Sequence, residues 1–425
     1  MDPQLGAPEH VDLAKAVQLA LKNNPELSAA RYDVSATEAQ EDKTTAEFWP
    51  TVRGVVGWTE YRREQRLYPA AVPGEPAVIS HHLLGGDLVA TMPLFTGWRL
   101  SATREAAEQT HTSTKLSEDR IRAEIVYRVT ALYYGILAQR RYCAALAGAE
   151  KALVDQQRRL RELVDERKAA PVDAQRAEVR LSVLRQRLIR EENVLATLTL
   201  TLTAMLGRDG QQEPIEVIGT LAPSSCDSER DPGNAVADAL KHRPDYLAVK
   251  ASIEGQRSRV VAAEAGHWPQ LMLQGSYGLR WGLWPTVDPA GVNNPADVGT
   301  LSLVADIPLF QGGRVSDEIR EQEARMGAQL ERARQLELKI RAEVQSSILD
   351  RNAAAERVSA SETTVAAATE AYRVESEKYS AGRSTITDVL STQADLLDAE
   401  AERSRALAES HTACAGLRLA LGEEP

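Results

Sequence analysis

The residues best able to bind metal or drive catalysis are scattered through this chain. Of its seven histidines, only His81 and His82 are neighbours, and His10, His111, His242, His267 and His411 stand apart. Two adjacent imidazoles in a loop are more often solvated than metal-bound. Cys143, Cys226 and Cys414 are odd in number and far apart, so they give neither a metal-ligand spacing nor a disulfide framework. There is no glycine-rich phosphate loop, and no Ser or Cys sits in a recognisable nucleophile motif. No enzyme activity, cofactor or metal is expected. Function must therefore lie in the elements and what they could enclose.

Lys and Arg number 50 against 61 Asp and Glu, a formal net charge of −11. Phosphate binding calls for a basic face, so nucleic acid is excluded as the main partner. Mean hydropathy is −0.33, and no apolar run reaches the ~18–20 residues of a transmembrane helix. The most apolar helical window, 125–138, is cut by Arg128. Residues 1–12 carry neither a basic nor an apolar signal-peptide region, as in a mature chain.

The aromatic residues are confined. Trp49, Trp58, Trp98, Trp268, Trp281 and Trp284 fall in two windows, with Phe48, Phe95 and Phe310 in or beside them. Within 271–281, Leu271, Leu273, Gly275, Tyr277, Leu279 and Trp281 alternate with mostly polar residues. A period of two over such a length suits a tilted membrane-spanning strand. Four strands are predicted, at about 49–62, 87–95, 269–282 and 299–309, with Pro/Gly/Asn-rich loops at 66–84 and 283–297. Trp and Tyr at strand ends are what a bilayer interface selects, which makes Trp58, Trp268, Trp281 and Trp284 the candidate interface aromatics.

The chain also matches itself. Asn24-Pro25-Glu26-Leu27 corresponds to Arg243-Pro244-Asp245-Tyr246, Trp49-Pro50 to Trp268-Pro269, and Arg122-Ala123-Glu124 to Arg341-Ala342-Glu343. Pro93-Leu94-Phe95 corresponds to Pro308-Leu309-Phe310, Asp173 to Asp388, and Leu206-Gly207 to Leu421-Gly422. The chain therefore divides into a first repeat (1–210), a linker (211–233) and a second repeat (234–425). Each repeat holds a broken helix, two strands, a very long helix (98–168, 314–380) and a second long helix (171–206, 384–421). Ala177, Leu181, Leu184, Leu188, Leu195, Leu198 and Leu202 form a heptad stripe. A helix over 314–380 would rise ~100 Å, far beyond an ordinary globular helix. Asp173 and Asp388 stand early in their helices, facing a positive helix end.

Tandem halves, W-P entering a strand, P-L-F-x-G leaving it, and the segment Y-S-A-G-R-S-T-I-T-D-V-L from Tyr379 to Leu390 resemble the TolC-like outer-membrane efflux factors. The opening LAKAVQLALKNNPEL (13–27) is similar to the family's first helix. The resemblance implies a mostly α fold with a membrane β-barrel portion. Four strands from each protomer of a homotrimer would make one 12-stranded barrel on an α-helical tunnel, and the linker would belong to an equatorial domain. It implies a passive exit duct of a tripartite pump or type I secretion system in the outer membrane, extending into the periplasm. Its partners would be outer-membrane lipid, a periplasmic adaptor and an inner-membrane transporter. At the inner end the helix turns would close an aperture, with Asp388, Asp173, Tyr379 and Arg383 as gate residues. Gly382, Arg167 and Lys168 would be the adaptor-contact turns. Two departures stand out. Ser384 occupies the position of the family's Arg, and Arg167-Lys168 replace a Gly-apolar pair. From the residues alone, a periplasmic coiled-coil scaffold without a channel stays open as the alternative.

Overall fold

The computed structural model describes residues 9–67, 78–167, 170–208, 215–224, 226, 232–288 and 294–424. The first elements are β1 (Glu9–Val11), α1 (Leu13–Asn23), α2 (Pro25–Ala46), β2 (Thr51–Arg66), β3 (Ile79–Phe95), α3 (Arg99–Asp165) and α4 (Pro171–Met205). After β4 (Ile215–Val217) come α5 (Pro232–His242), α6 (Pro244–Glu264), β5 (Gln270–Leu283), β6 (Ala296–Asp306), α7 (Arg314–Ser380) and α8 (Ile386–Leu421). Prolines open α2, α4, α5 and α6, because a residue at the helix start needs no N–H partner and proline's φ suits the helix. Asp12 caps α1 by accepting the Lys15 N–H at 2.8 Å. Among the described residues no helix is long and apolar enough to cross a membrane.

The chain forms two compact units. One takes the residues up to Asp33, Lys115–Ala248 and those from Ala333 onward. Its main core joins Val11, Ile125, Val129, Leu202, Leu206 and Leu407. Ala177, Leu181 and Leu202 of the heptad stripe are buried, and Leu184, Leu188, Leu195 and Leu198 are partly buried against neighbouring helices. β1 and β4 pair in parallel, docking the start of the 215–226 segment. That segment is then held by side chains from α3 and α8. The Tyr133 hydroxyl donates to Ile218 O at 2.5 Å, Arg140 to Val217 O at 2.8 Å, and Arg141 to Leu221 O at 3.2 Å. His411 Nε2 lies 2.7 Å from Ala222 O.

The segment ends in a disulfide between Cys226 and Cys414, which corrects the expectation that the cysteines form no disulfide. Separation along the chain hid the pair, because tertiary packing brings the segment onto α8. Cys143 remains a free, buried thiol whose pKa burial pushes up.

The other unit comprises Val34–Thr114 and Val249–Arg332 and contains an antiparallel sheet of order β2-β3-β5-β6. Its strands differ from the expected boundaries. The first runs to Arg66 rather than 62, the second starts at Ile79 rather than 87, and the fourth is Ala296–Asp306 rather than 299–309. Residues 79–86 include two histidines and two glycines, which break the apolar alternation, and cross-strand pairing fixes that stretch instead. His81 and His82 therefore lie in a strand and not in a loop.

Candidate functional site

Two sets of residues carry the functional reading, one in each unit. In the sheet, alternation places two chemistries on two faces. Trp58, Leu84 and Trp281 share one cross-strand row, and Ala90, Gly275 and Leu301 another. Val56, Leu88, Tyr277, Leu279 and Leu303 lie on that same apolar face, which is exposed: Val56 by 81% and Leu301 by 77%. A contiguous exposed apolar face marks a surface that meets lipid or protein. The opposite face carries Arg53, Asp87, Gln274, Ser276, Arg280 and Thr300. There Arg280 Nη1 donates to Asp87 Oδ1 at 2.6 Å, and Ser276 Oγ lies 2.7 Å from Thr300 Oγ1. Gly278 makes room for this pair. A Cβ on it would come within 2.1 Å of Gly86 O and 2.3 Å of Asp87 Oδ1.

The predicted interface aromatics bracket the apolar face. Trp58 and Trp281 lie near one end of the sheet. Trp284 follows, its ring 5.4 Å from that of His82, and His82 also stacks on Trp58 at 5.9 Å. Trp268 precedes β5 at the other end, edge-on to Trp98 at 5.1 Å. His81 Nε2 is 3.7 Å from Glu64. Among the described residues no group of three or more His, Cys, Asp or Glu is arranged to hold a metal ion.

The helix unit holds the predicted gate residues at the α3–α4 and α7–α8 turns. Tyr379 packs against an apolar cluster of Leu153, Leu160, Ala177, Leu181, Ile386 and Leu390. Burial pushes its phenol pKa up, and the nearby Asp173 charge adds to this. Asp173 itself lies 3.6 Å from Arg176. Among the described residues no hydrogen bond joins Tyr379 to Asp173 or Arg383. Asp388 closes a capping box with Thr385, accepting from its hydroxyl at 2.7 Å and from its N–H at 3.2 Å. Those bonds lower the Asp388 pKa and keep it charged. Ser384 Oγ donates to Glu375 at 2.6 Å, occupying the position where the family resemblance implies an Arg. Arg383 follows Gly382, and its backbone N–H donates to Lys378 O at 2.8 Å.

The two turns share one backbone form with different side chains. Gly382 has φ 71°, and Arg167, at the corresponding place after α3, has φ 60°. Lys168 lies outside the described residues. A left-handed conformation costs a non-glycine residue ~1 kcal/mol or more. Arg167→Gly is therefore expected to raise the stability of the folded chain by about 1 kcal/mol, less whatever glycine loses in unfolded-chain entropy. Thermal unfolding checks this, and a lowered midpoint would mean that the Arg167 side chain makes a compensating contact.

Sequence reasoning missed Arg243. It is 1% exposed. Its guanidinium donates to Asp245 at 2.7 Å, to Glu343 at 2.7 Å and to Ala420 O at 3.3 Å. Asn24 does the corresponding work with a shorter side chain, donating to Met205 O at 2.9 Å. The signal was present, since the N-P-E-L/R-P-D-Y match aligns these two residues.

The family described as outer membrane efflux protein matches the chain over residues 16–208 and 235–423. The sequence is 24% identical over 383 residues to outer membrane efflux protein BepC of Brucella suis, covering 90% of this chain and 78% of BepC. The solved structure of a membrane protein from Pseudomonas aeruginosa has the same fold, with a TM-score of 0.83 at 19% identity over 96% of this chain and 93% of that one. Outer membrane protein VceC of Vibrio cholerae gives a TM-score of 0.78 at 18% identity, covering 97% of this chain and 96% of VceC.

Proposed function

The chain belongs to the outer membrane efflux protein family, and from that premise we propose that it is the outer-membrane exit duct of a tripartite efflux pump or type I secretion system. It conducts substrates passively, receiving them from an inner-membrane transporter through a periplasmic adaptor. The observation that carries this reading is the four-stranded sheet, apolar on one face and polar on the other, with the outer edges of both edge strands unpaired among the described residues. Open edges are not tolerated in lipid. Closure requires further copies, and a homotrimer gives twelve strands with a polar lumen. The thirteen residue-to-residue steps from Trp268 to Trp281, at ~3.3 Å per step and a tilt near 45°, rise ~30 Å, which matches the hydrocarbon thickness. The long helices, α3 and α7 among them, would line the tunnel that extends into the periplasm.

At the inner end, the gate consists of Asp388, Asp173, Tyr379 and Arg383, and the turns at Gly382, Arg167 and Lys168 meet the adaptor. Three symmetry-related Asp388 carboxylates form a ring that concentrates cations and repels anions. The detergent-solubilised protein is expected to have the mass of a trimer and to conduct in planar bilayers. Under a salt gradient its reversal potential should favour cations, and Asp388→Asn should weaken that preference while keeping an acceptor for the Thr385 cap. A detergent-free monomer with no conductance would favour the scaffold reading. An anion-selective parent protein would remove the carboxylate ring.

A further inference from the structure

The two open edges of the sheet carry opposite charge. β2 holds Arg53, Arg62, Arg63 and Arg66 against Glu60 and Glu64, whereas β6 holds Asp297 and Asp306 with no basic residue. Arg53, Arg62, Asp297 and Asp306 have no ion-pair partner within the chain among the described residues. Antiparallel pairing of β2 with β6 of a second copy would continue the alternation of the sheet and satisfy both edges. In such a pair, two ion pairs can form at once only if the charges on the two strands are equally spaced. Arg62 lies nine positions after Arg53, and Asp306 nine positions after Asp297.

On the reading of the sheet as a third of a membrane barrel, we propose the register of its closure. β6 of one protomer pairs with β2 of the next so that Asp306 faces Arg53 and Asp297 faces Arg62. Within one chain a row of paired residues runs Thr51, Thr91, Gln274, Ser302. In the proposed register that row continues at Gly57 of the next copy, an offset of six residues per protomer. For twelve strands ~4.8 Å apart with ~3.3 Å rise, this offset corresponds to a tilt of about 45°. Face matching allows only even offsets. An offset of four gives a tilt of about 35°, also within the range of such barrels, but it sets Asp297 against Glu60, and like charges directly opposed are unfavourable. An offset of eight gives about 54°, outside that range, and sets Asp297 against Glu64. The proposed register also keeps all of Ala296–Asp306 opposite residues 53–63, inside Thr51–Arg66.

The two ion pairs fall on opposite faces. Arg53 and Asp306 lie on the polar face, with the Asp87–Arg280 pair. Asp297 is on the apolar face, opposite Leu279 and near its outer end. Arg62 stands just past Glu60, where the β2–β3 ladder becomes irregular. Nine is odd, so in a regular ladder one pair occupies the close, non-hydrogen-bonded geometry and the other the wider one; the irregularity after Glu60 falls on the Arg62 pair and leaves the Arg53–Asp306 pair in regular strand.

Cysteine cross-linking in full-length protein carrying Cys143→Ser tests the register. Under oxidation, Arg53→Cys with Asp306→Cys, or Arg62→Cys with Asp297→Cys, should give covalent trimers on denaturing gels, at least in whichever pair has the closer geometry. Cross-linking of Asp306→Cys with Thr51→Cys or Val55→Cys instead overturns the register but leaves the barrel standing. A parent chain with no trimer by native mass overturns both. As a check free of cysteines, Arg53→Asp alone should lower the trimer yield several-fold, and adding Asp306→Arg should restore it. Failure of the swap to restore trimers would count against the Arg53–Asp306 pair.

Discussion

Replacing Arg243 with alanine is expected to destabilise the folded chain by roughly 3 kcal/mol. That is the lower end of the usual cost of breaking a buried ion pair from one side, because Glu343 and Asp245 keep some solvent access, with side chains 34% and 23% exposed. Arg243 is the point where the start of α6, the middle of α7 and the end of α8 meet. Its loss takes the guanidinium from two carboxylates and the Ala420 carbonyl, leaving Asp245 with the Tyr246 N–H and Glu343 with the Lys339 ammonium. Arg243→Asn borrows the solution that Asn24 uses, so it should recover the carbonyl bond and about 1 kcal/mol of the loss. Denaturant unfolding of the solubilised protein measures both. An alanine variant within 1 kcal/mol of the parent would show that the network only balances its own desolvation.

The same network sets the sign of an acid transition. Burial alone would raise the Asp245 pKa, but the hydrogen bond and charge of Arg243 outweigh it and hold the group below the usual carboxylate range. A depressed folded pKa means that this stabilisation is complete above the unfolded value of ~3.9 and is lost as pH falls through the folded one. The stability curve of the parent should therefore drop on its acid side. Asp245→Asn should flatten that drop.

What could be read from the sequence followed from local periodicity. Ala177, Leu181 and Leu202 repeat at heptad spacing because one helix face must be buried, and they are buried. The alternation at 271–281 marks a strand because both of its faces are regular. β3 was legible only from 87 onward, since Gly85, Gly86 and the His pair have no polarity pattern, and that stretch is a strand because β2 and β5 flank it. Arg167 hides the helix turn that Gly382 announces, since the left-handed conformation is a property of the backbone there and only one of the two turns uses the residue that reveals it. The Arg243 network needed three-dimensional proximity of residues about a hundred and more positions apart.

The cysteines are the clearest case of long-range information, and they carry the second large expected effect. Cys226 and Cys414 are joined across a sequence separation of 188 residues. Confining an unfolded loop of that size is worth about 5 kcal/mol in the chain-entropy picture, and measured losses for native bridges run at about 2–5 kcal/mol. The hydrogen bonds to Val217, Ile218, Leu221 and Ala222 hold the segment in the folded state only, so they cannot replace a constraint that acts on the unfolded chain. Cys226→Ser, Cys414→Ser and the double variant should therefore all lose about the same stability, between 2 and 5 kcal/mol, with no further loss in the double. Cys143→Ser should leave the bridge intact. Under denaturing conditions without reductant, the parent chain should expose the Cys143 thiol alone, and with reductant all three. If the two single variants added in the double, the cysteines would be contributing separately through packing. The bridge also ties maturation to an oxidising compartment, consistent with the proposed outer-membrane location. Chain produced in a reducing cytosol should match the double variant in stability until it is oxidised.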